Sequence, residues 1–265
     1  MPKFAANLSM LFTEVPFLKR FESAANSGFD YIEYLFPYEW DASTLATLLK
    51  QHQLKQVLFN LPPGDWSAGE RGIACLPDRK EEFKRGVDLA LAYADTLGVS
   101  QLNCLAGLTP NITATGNKLT EYSRHWDTLH ENIAYAASQL EQHHITLMLE
   151  PINSKVDMPG FFLDTLGKTK LLIKSLNLPN IKIQFDIYHM QIMQGDILRS
   201  IQENLELIGH IQFADCPGRH EPGTGELNFD RIFQVLDQIN YSGWVSAEYI
   251  PQQNSQNSLS WFKTP

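Results

Sequence analysis

Eight short apolar runs alternate with stretches of helical spacing along the 265 residues of this chain. The apolar runs cover residues 4–8, 31–36, 56–61, 101–105, 145–149, 181–185, 208–214 and 244–249. The helical stretches cover residues 16–26, 45–49, 78–97, 120–142, 164–176, 196–205 and 230–239. Strict alternation of strand and helix implies parallel strands joined by right-handed crossovers.

Eight such units predict an α/β chain of the (β/α)8 TIM barrel class, in which a parallel eight-stranded barrel is surrounded by outer helices. The length is usual for a barrel of this kind, and no linker or low-complexity tract interrupts it. We therefore expect residues 1–265 to form a single domain. Gly28 and Gly98 are placed to end two helices, and Asp78 to cap the helix before Gly98. Long loops follow the third and fourth runs.

The composition narrows the range of partners. A formal net charge of -9 disfavours binding to nucleic acid or to an anionic membrane. No apolar stretch has the roughly 20 residues that span a bilayer, and the N-terminus lacks a signal-peptide pattern. Cys75, Cys104 and Cys216 have no metal-finger spacing and are expected to be buried thiols, which favours the cytoplasm.

Polar side chains stand at the ends of four successive predicted strands. Glu150 follows the fifth, Asp186 follows the sixth, Gln212 lies near the end of the seventh, and Glu248 lies in the eighth. Active sites of such barrels form at the carboxyl ends of the strands. One strand-end acid alone is explained by solvation, but four oxygen donors in register predict a metal site. Such a hard donor set suits Mg²⁺ or Mn²⁺.

Three further residues are candidates for binding a small anionic substrate. Three carboxylates and one dication leave about one net negative charge, so an anionic substrate needs cations of its own. Arg71, in the loop after the third strand, and Arg219, in the loop after the seventh, are the candidates. His189, three residues after Asp186, is expected to polarise a substrate oxygen. Other histidines, such as His125, are predicted to lie at the surface.

Several segments carry a resemblance to a known family. They are 4–12 (FAANLSMLF), 60–66 (NLPPGDW), 69–72 (GERG), 150–153 (EPIN), 157–160 (DMPG), 186–190 (DIYHM), 220–226 (HEPGTGE) and 248–249 (EY). The chain resembles the hydroxypyruvate isomerases, within the xylose-isomerase-like barrel superfamily, over nearly its whole length. The resemblance implies reversible conversion of hydroxypyruvate to 2-hydroxy-3-oxopropanoate (tartronate semialdehyde). It also implies that Glu150 and Glu248 are the proton donor/acceptor pair and that Asp186 and Gln212 complete the metal site.

The chemistry agrees with that implication, but two positions depart from the family pattern. Moving a carbonyl between neighbouring carbons requires a proton to leave one carbon and a proton to reach the other, which a carboxylate can carry out. Phe59 stands where His is expected, and Ile250 where Lys is common. A missing cation near Glu248 keeps 2-oxo-tetronate isomerisation open as an alternative.

Three other functions are compatible with the same barrel. A ketose 3-epimerase would invert a stereocentre, and a non-catalytic sugar-acid binding protein would need no pair of strand-end glutamates. A metal-dependent endonuclease for damaged DNA would need several histidine ligands and a basic surface, against which Gln212 and the net charge argue. The aromatic stretch 34–40 packs either in the core or against a second copy of the chain, so a homo-oligomer stays open.

Overall fold

The structure, a computed structural model, describes residues 2–109 and 118–262. It contains eight parallel strands that close into a barrel in the order β1-β2-β3-β4-β5-β6-β7-β8, with β8 paired to β1. The strands are β1 (Lys3–Asn7), β2 (Tyr31–Glu33), β3 (Lys55–Asn60), β4 (Gln101–Cys104), β5 (Thr146–Leu149), β6 (Ile181–Asp186), β7 (Ile208–Phe213) and β8 (Trp244–Ala247). The predicted TIM barrel is confirmed.

Helices connect the strands. They are α1 (Phe17–Asn26), α2 (Ala42–Gln51), α3 (Lys80–Leu97), α4 (Lys118–Glu141), α5 (Leu166–Leu176), α6 (Ile187–Met193), α7 (Ile197–Glu203) and α8 (Phe229–Gln238). Short 3-10 helices cover Pro77–Arg79 and Asn257–Leu259. Within the described ranges, no helix is long and apolar enough to cross a membrane. Residues 110–117, in the loop predicted after the fourth strand, lie outside the described residues.

Two local predictions at helix ends have opposite outcomes. Gly98 ends α3 in the left-handed conformation, at φ 67°, as predicted. Asp78 is not the cap of that helix: it lies inside the 3-10 turn that begins at Pro77, and its carboxylate pairs with Arg124 instead. The prediction was wrong because Pro77 starts a helical turn one residue before the expected cap.

The core has two parts. Side chains of Ala5, Leu58 and Met148 pack together, although their strands β1, β3 and β5 are not neighbours, so they meet across the barrel interior. Gly209 leaves the space for Met148, since a Cβ there would lie 2.6 Å from its terminal methyl. The larger part fills the layer between the strands and the helices.

The structure also locates the aromatic stretch 34–40, the three cysteines and His125, and only His125 differs from its predicted position. Trp40 stacks on Phe17 at 4.1 Å and the Tyr38 hydroxyl donates to the Asn60 carbonyl, so the stretch 34–40 packs against its own chain. The three cysteines are buried and free, as predicted. His125, predicted at the surface, is buried, with Nδ1 2.6 Å from the Cys75 carbonyl oxygen.

Candidate active site

The four strand-end residues meet at one rim of the barrel. Because all eight strands are parallel, their carboxyl ends face the same side. Glu150 follows β5 directly, Asp186 closes β6, Gln212 lies in β7 opposite Asp186, and Glu248 follows β8. All four side chains are buried, none more than 5% exposed. Burying so many polar groups is costly unless they contact partners of opposite charge or hydrogen-bonding capacity.

His189 joins Glu150 and Asp186. Asp186 caps α6 by accepting a hydrogen bond from the Tyr188 N–H at 2.8 Å, and this turn brings His189 back toward the rim. Nε2 of His189 lies 3.4 Å from Oδ2 of Asp186 and 3.8 Å from Oε1 of Glu150. One donor atom from each of the three residues lies within 4.8 Å of the other two, so the trio could hold a metal ion.

Arg219 is the cation of the site. Its Nη2 lies 2.6 Å from Oε2 of Glu248 and 3.4 Å from Oδ2 of Asp186, while Nη1 lies 3.9 Å from Oδ1 of Asp157. The guanidinium also stands 5.1 Å from the centre of the Tyr188 ring. Burial acts to lower the pKa of Arg219, but the surrounding carboxylates outweigh it, and its pKa is raised. Arg219 therefore remains a fixed positive charge beside the strand-end acids.

Gln212 contacts Glu248 and two further polar residues through its side-chain amide. Nε2 donates to Oε1 of Glu33 at 2.7 Å and to Oε1 of Glu248 at 3.2 Å. Its Oε1 accepts from Nε2 of Gln184 at 2.6 Å. The amide oxygen retains a second lone pair, so this arrangement leaves it one free acceptor position.

Arg71 does not reach these residues. Its guanidinium stacks on Trp66 at 4.0 Å, and Nη1 donates to the carbonyls of Trp66 and Glu70. Across residues 2–109 and 118–262, Arg71 makes no hydrogen bond or ion pair with a strand-end residue. The structure thus brings Glu150, Asp186, Gln212, Glu248, His189 and Arg219 together, and leaves Arg71 in its own loop.

The site raises the pKa values of its acids. Burial and the charge of Asp186 raise the pKa of Glu150 to about 8, although Arg219 opposes the shift. Burial raises the pKa of Asp186, and burial together with the neighbouring acids raises that of Glu248 well above its ordinary range. When all three acids are ionised, one guanidinium against three carboxylates leaves an excess of negative charge. A divalent cation with oxygen ligands fits that donor set.

A second group of polar residues, not found from the sequence, supports the site. Glu33 and His210 are fully buried, with Oε2 and Nε2 2.7 Å apart. Burial acts to raise the pKa of Glu33, but His210 and the hydrogen bonds outweigh it and lower the pKa. Asn7 donates to both Glu33 and Glu248, at 3.0 and 2.9 Å. Asn103 donates to Oε2 of Glu150 at 3.0 Å.

The loops after β5 and β7 complete the rim. Asn153, fully buried, contacts His189 and Asp157 through its amide nitrogen. After β7, the carboxylate of Asp215 accepts four backbone N–H groups. They belong to Cys216, Gly223, Gly225 and Leu227. The glycine N–H groups of the stretch 222–225 thus bind a side chain of the protein itself.

Known proteins share this barrel. The family model described as xylose isomerase-like TIM barrel matches residues 21–264. The hydroxypyruvate isomerase of Escherichia coli is 47% identical over 98% of each chain. The 2-oxo-tetronate isomerase of Cupriavidus necator is 43% identical over 99% of this chain and 98% of its own. A crystal structure described as an AP endonuclease, family 2, from Brucella melitensis has a TM-score of 0.93 at 46% identity, over 99% of this chain and 98% of that one.

Proposed function

The chain belongs to the xylose isomerase-like TIM barrel family and is an isomerase, and on that premise we propose that it interconverts hydroxypyruvate and 2-hydroxy-3-oxopropanoate. The observation that carries the proposal is the buried cluster of Glu150, Asp186 and Glu248 beside Arg219. The full-length similarity to the Escherichia coli hydroxypyruvate isomerase supports the choice of substrate.

Glu150 and Glu248 are proposed to move the protons. In hydroxypyruvate a proton leaves C3, a proton is added at C2, and the hydrogen of the C3 hydroxyl passes to the C2 oxygen, so that the carbonyl changes carbon. A carboxyl whose pKa lies near neutrality serves as acid and as base at the same pH. In the metal-free site, burial and Asp186 raise the pKa of Glu150 to about 8, close to that range. Neutral His189 is proposed to donate toward a substrate oxygen, and Arg219 to hold the substrate carboxylate.

A divalent metal, Mg²⁺ or Mn²⁺, is proposed as cofactor. Glu150, Asp186, Gln212 and Glu248 would hold it through oxygen atoms. When bound, such a cation supplies positive charge for the substrate oxygens on which negative charge develops. Arg71 stays a predicted substrate contact. It stacks on Trp66 in its own loop, and it would reach the substrate if that loop closed over the site.

2-Oxo-tetronate is the alternative substrate, and one observation favours it. Ile250 is 54% exposed at the position where a lysine is common, and its backbone N–H donates to the Arg219 carbonyl. A longer substrate that extended past Arg219 toward Ile250 would meet an apolar side chain instead of a cation. Epimerisation and non-catalytic sugar-acid binding have no such observation. We do not propose DNA cleavage, because a net charge of -9 disfavours binding to DNA.

The test is product analysis by NMR in D₂O. Metal-stripped protein is given hydroxypyruvate or 2-oxo-tetronate with Mg²⁺ restored, and Mn²⁺ samples are stripped again before spectra are taken. We expect metal-dependent 2-hydroxy-3-oxopropanoate and deuterium exchange at carbon. Glu150→Gln and Glu248→Gln should each reduce turnover by about 10³-fold, within the range for general acid–base groups. Glu22→Gln, at an exposed acid on α1, is the matched control.

The outcomes separate the candidates. Turnover of the four-carbon acid alone would replace the substrate and keep the mechanism. An absence of carbon–deuterium exchange with both acids would contradict the proposed reaction.

We also propose that residues 1–265 act as one domain. We propose the cytoplasm as its compartment, which the three free buried thiols support.

A further inference from the structure

The side-chain amide of Asn153 has only one orientation that satisfies its neighbours. Its Oδ1 accepts hydrogen bonds from the backbone N–H groups of Val156 at 3.0 Å and Asp157 at 2.9 Å. Backbone N–H groups only donate, so an amide nitrogen in that place would face two donors. The oxygen end is therefore fixed in the loop, and Nδ2 points the opposite way.

Nδ2 of Asn153 then faces two acceptors. Oδ2 of Asp157 lies at 2.5 Å, and Nδ1 of His189 lies at 2.7 Å. An amide nitrogen carries two N–H bonds, one for each of these neighbours. Nδ1 of His189 must accept, which requires a lone pair and leaves no proton there. The ring proton therefore resides on Nε2.

Nε2 of His189 points into the acid cluster. It lies 3.4 Å from Oδ2 of Asp186 and 3.8 Å from Oε1 of Glu150. A protonated ring nitrogen has no lone pair and cannot ligate a metal ion. We propose that Asn153 holds His189 as the Nε2–H tautomer, so that His189 donates a hydrogen bond to a substrate oxygen and is excluded from the metal ligands.

This inference deepens the proposed isomerisation and rests on it only for the identity of the substrate oxygen. His189 donates to a carbonyl or hydroxyl oxygen, and Asn153 is a positioning residue that acts through it. The trio of Glu150, Asp186 and His189 satisfies the distances of a metal site, but hydrogen bonding decides against nitrogen as a ligand. The metal is left with oxygen donors, as Mg²⁺ and Mn²⁺ prefer.

The first test needs no substrate. Full-length protein labelled with ¹⁵N at its histidine rings is studied by long-range ¹H–¹⁵N NMR without metal and with Mg²⁺, and the His189 signals are assigned by their loss in His189→Gln. We expect one protonated and one unprotonated nitrogen, with the proton on Nε2 in both samples. A proton on Nδ1 would overturn the inference.

The second test asks whether nitrogen binds the metal. In the same labelled protein loaded with Mn²⁺, electron spin-echo spectra should contain no coupling from a directly bound histidine nitrogen. His189→Gln should keep the Mg²⁺ dissociation constant within about threefold, whereas Asp186→Asn should weaken it by more than tenfold, since loss of even an indirect partner typically costs that much. Equal weakening in both variants, or a bound nitrogen, would contradict the inference.

The third test addresses Asn153 itself. In Asn153→Asp one oxygen still accepts from Val156 and Asp157, while the other replaces the donor facing Nδ1. The ring proton should move to Nδ1, and turnover should fall at least tenfold. An unchanged tautomer in the folded variant would contradict the role of Asn153. If the variant does not fold, the two preceding tests still decide. If the tautomer is confirmed but the protein is inactive on hydroxypyruvate, this inference stands and the proposed function fails.

Discussion

Oε2 of Glu33 and Nε2 of His210 lie 2.7 Å apart, with neither side chain exposed to solvent. The other oxygen of Glu33 accepts from the amides of Asn7 and Gln212, and both amides also donate to Oε1 of Glu248. The pair thus orients the two amides that hold one oxygen of Glu248. The second oxygen, Oε2, is left to face Arg219 at 2.6 Å.

Removing the charge of Glu33 should destabilise the protein. Glu33→Gln deprives His210 of its carboxylate partner inside the barrel, and losing a buried hydrogen bond to a charged group costs about 1.5 to 3 kcal/mol. Urea denaturation measures the change in the free energy of unfolding. Glu22→Gln, which breaks an exposed contact with Lys19 at 4.0 Å, should cost less than about 1 kcal/mol. A Glu33→Gln variant as stable as this control would show that the pair contributes little.

Binding of Mg²⁺ should strengthen as the pH rises toward 8. The pKa of Glu150 in the metal-free site is about 8, because of burial and Asp186, so the carboxyl is protonated at neutral pH. A ligand carboxylate must lose its proton, so affinity should rise by about tenfold per pH unit for each proton released. Calorimetry in buffers of different ionisation enthalpy counts the protons. Affinity that does not change between pH 6 and 8 would mean that Glu150 is already ionised or does not bind the metal.

Without metal, the protein should lose stability over the same pH range. The folded state keeps the proton of Glu150 up to about pH 8, whereas the unfolded chain releases it near the ordinary value of 4.5. The folded state binds more protons in that window, so the free energy of unfolding falls as the pH rises, by roughly 1 kcal/mol per pH unit for one proton. Thermal melts of metal-stripped protein at pH 5 and 8 measure this. Glu150→Gln should reduce the slope, and stability that rises with pH would contradict the prediction.

Arg219→Lys should weaken substrate binding and leave the fold largely unchanged. Lysine keeps the positive charge but loses the planar guanidinium, with its paired N–H donors, that spans Glu248 and Asp186. We expect KM for hydroxypyruvate to rise by about tenfold or more, in line with about 1.5 to 3 kcal/mol for a hydrogen bond to a charged group. Arg231→Lys, at an exposed position on α8, is the matched control. An unchanged KM in Arg219→Lys would remove Arg219 from the substrate contacts.

Much of the barrel could be predicted from apolar spacing, because strands and helices of this fold bury regular faces. The helix α6 has no counterpart among the predicted helices, since Asp186 at the end of β6 is also its cap and no loop separates the two elements. Strand-end position was enough to place Glu150 and Asp186, because the ends of parallel strands must meet. It could not place Arg71, whose location depends on the course of a long loop.

Glu33 and His210 escaped prediction for a different reason. Each is a polar residue within or at the end of an apolar run, and its pairing with a strand far away in the sequence depends on barrel closure and register. Asn153 lay in a recognised segment, but its role depends on which end of an amide faces a histidine, and this is determined by two backbone N–H groups.

The carboxylate of Asp215 has one more consequence. It ties both ends of the loop 216–227 through the N–H groups of Cys216 and Leu227, and this loop carries Arg219. Gly225 leaves no room for a larger residue there, since a Cβ would lie 2.3 Å from the Cys216 carbonyl oxygen. The two ends of the loop are therefore fixed to the barrel by Asp215, whereas its middle can differ in sequence. Natural or engineered variants could replace residues 220–222 and keep Arg219, to admit acids of other lengths. Glu150 and Glu248, the glutamates proposed to transfer protons, follow strands β5 and β8 and lie outside this loop.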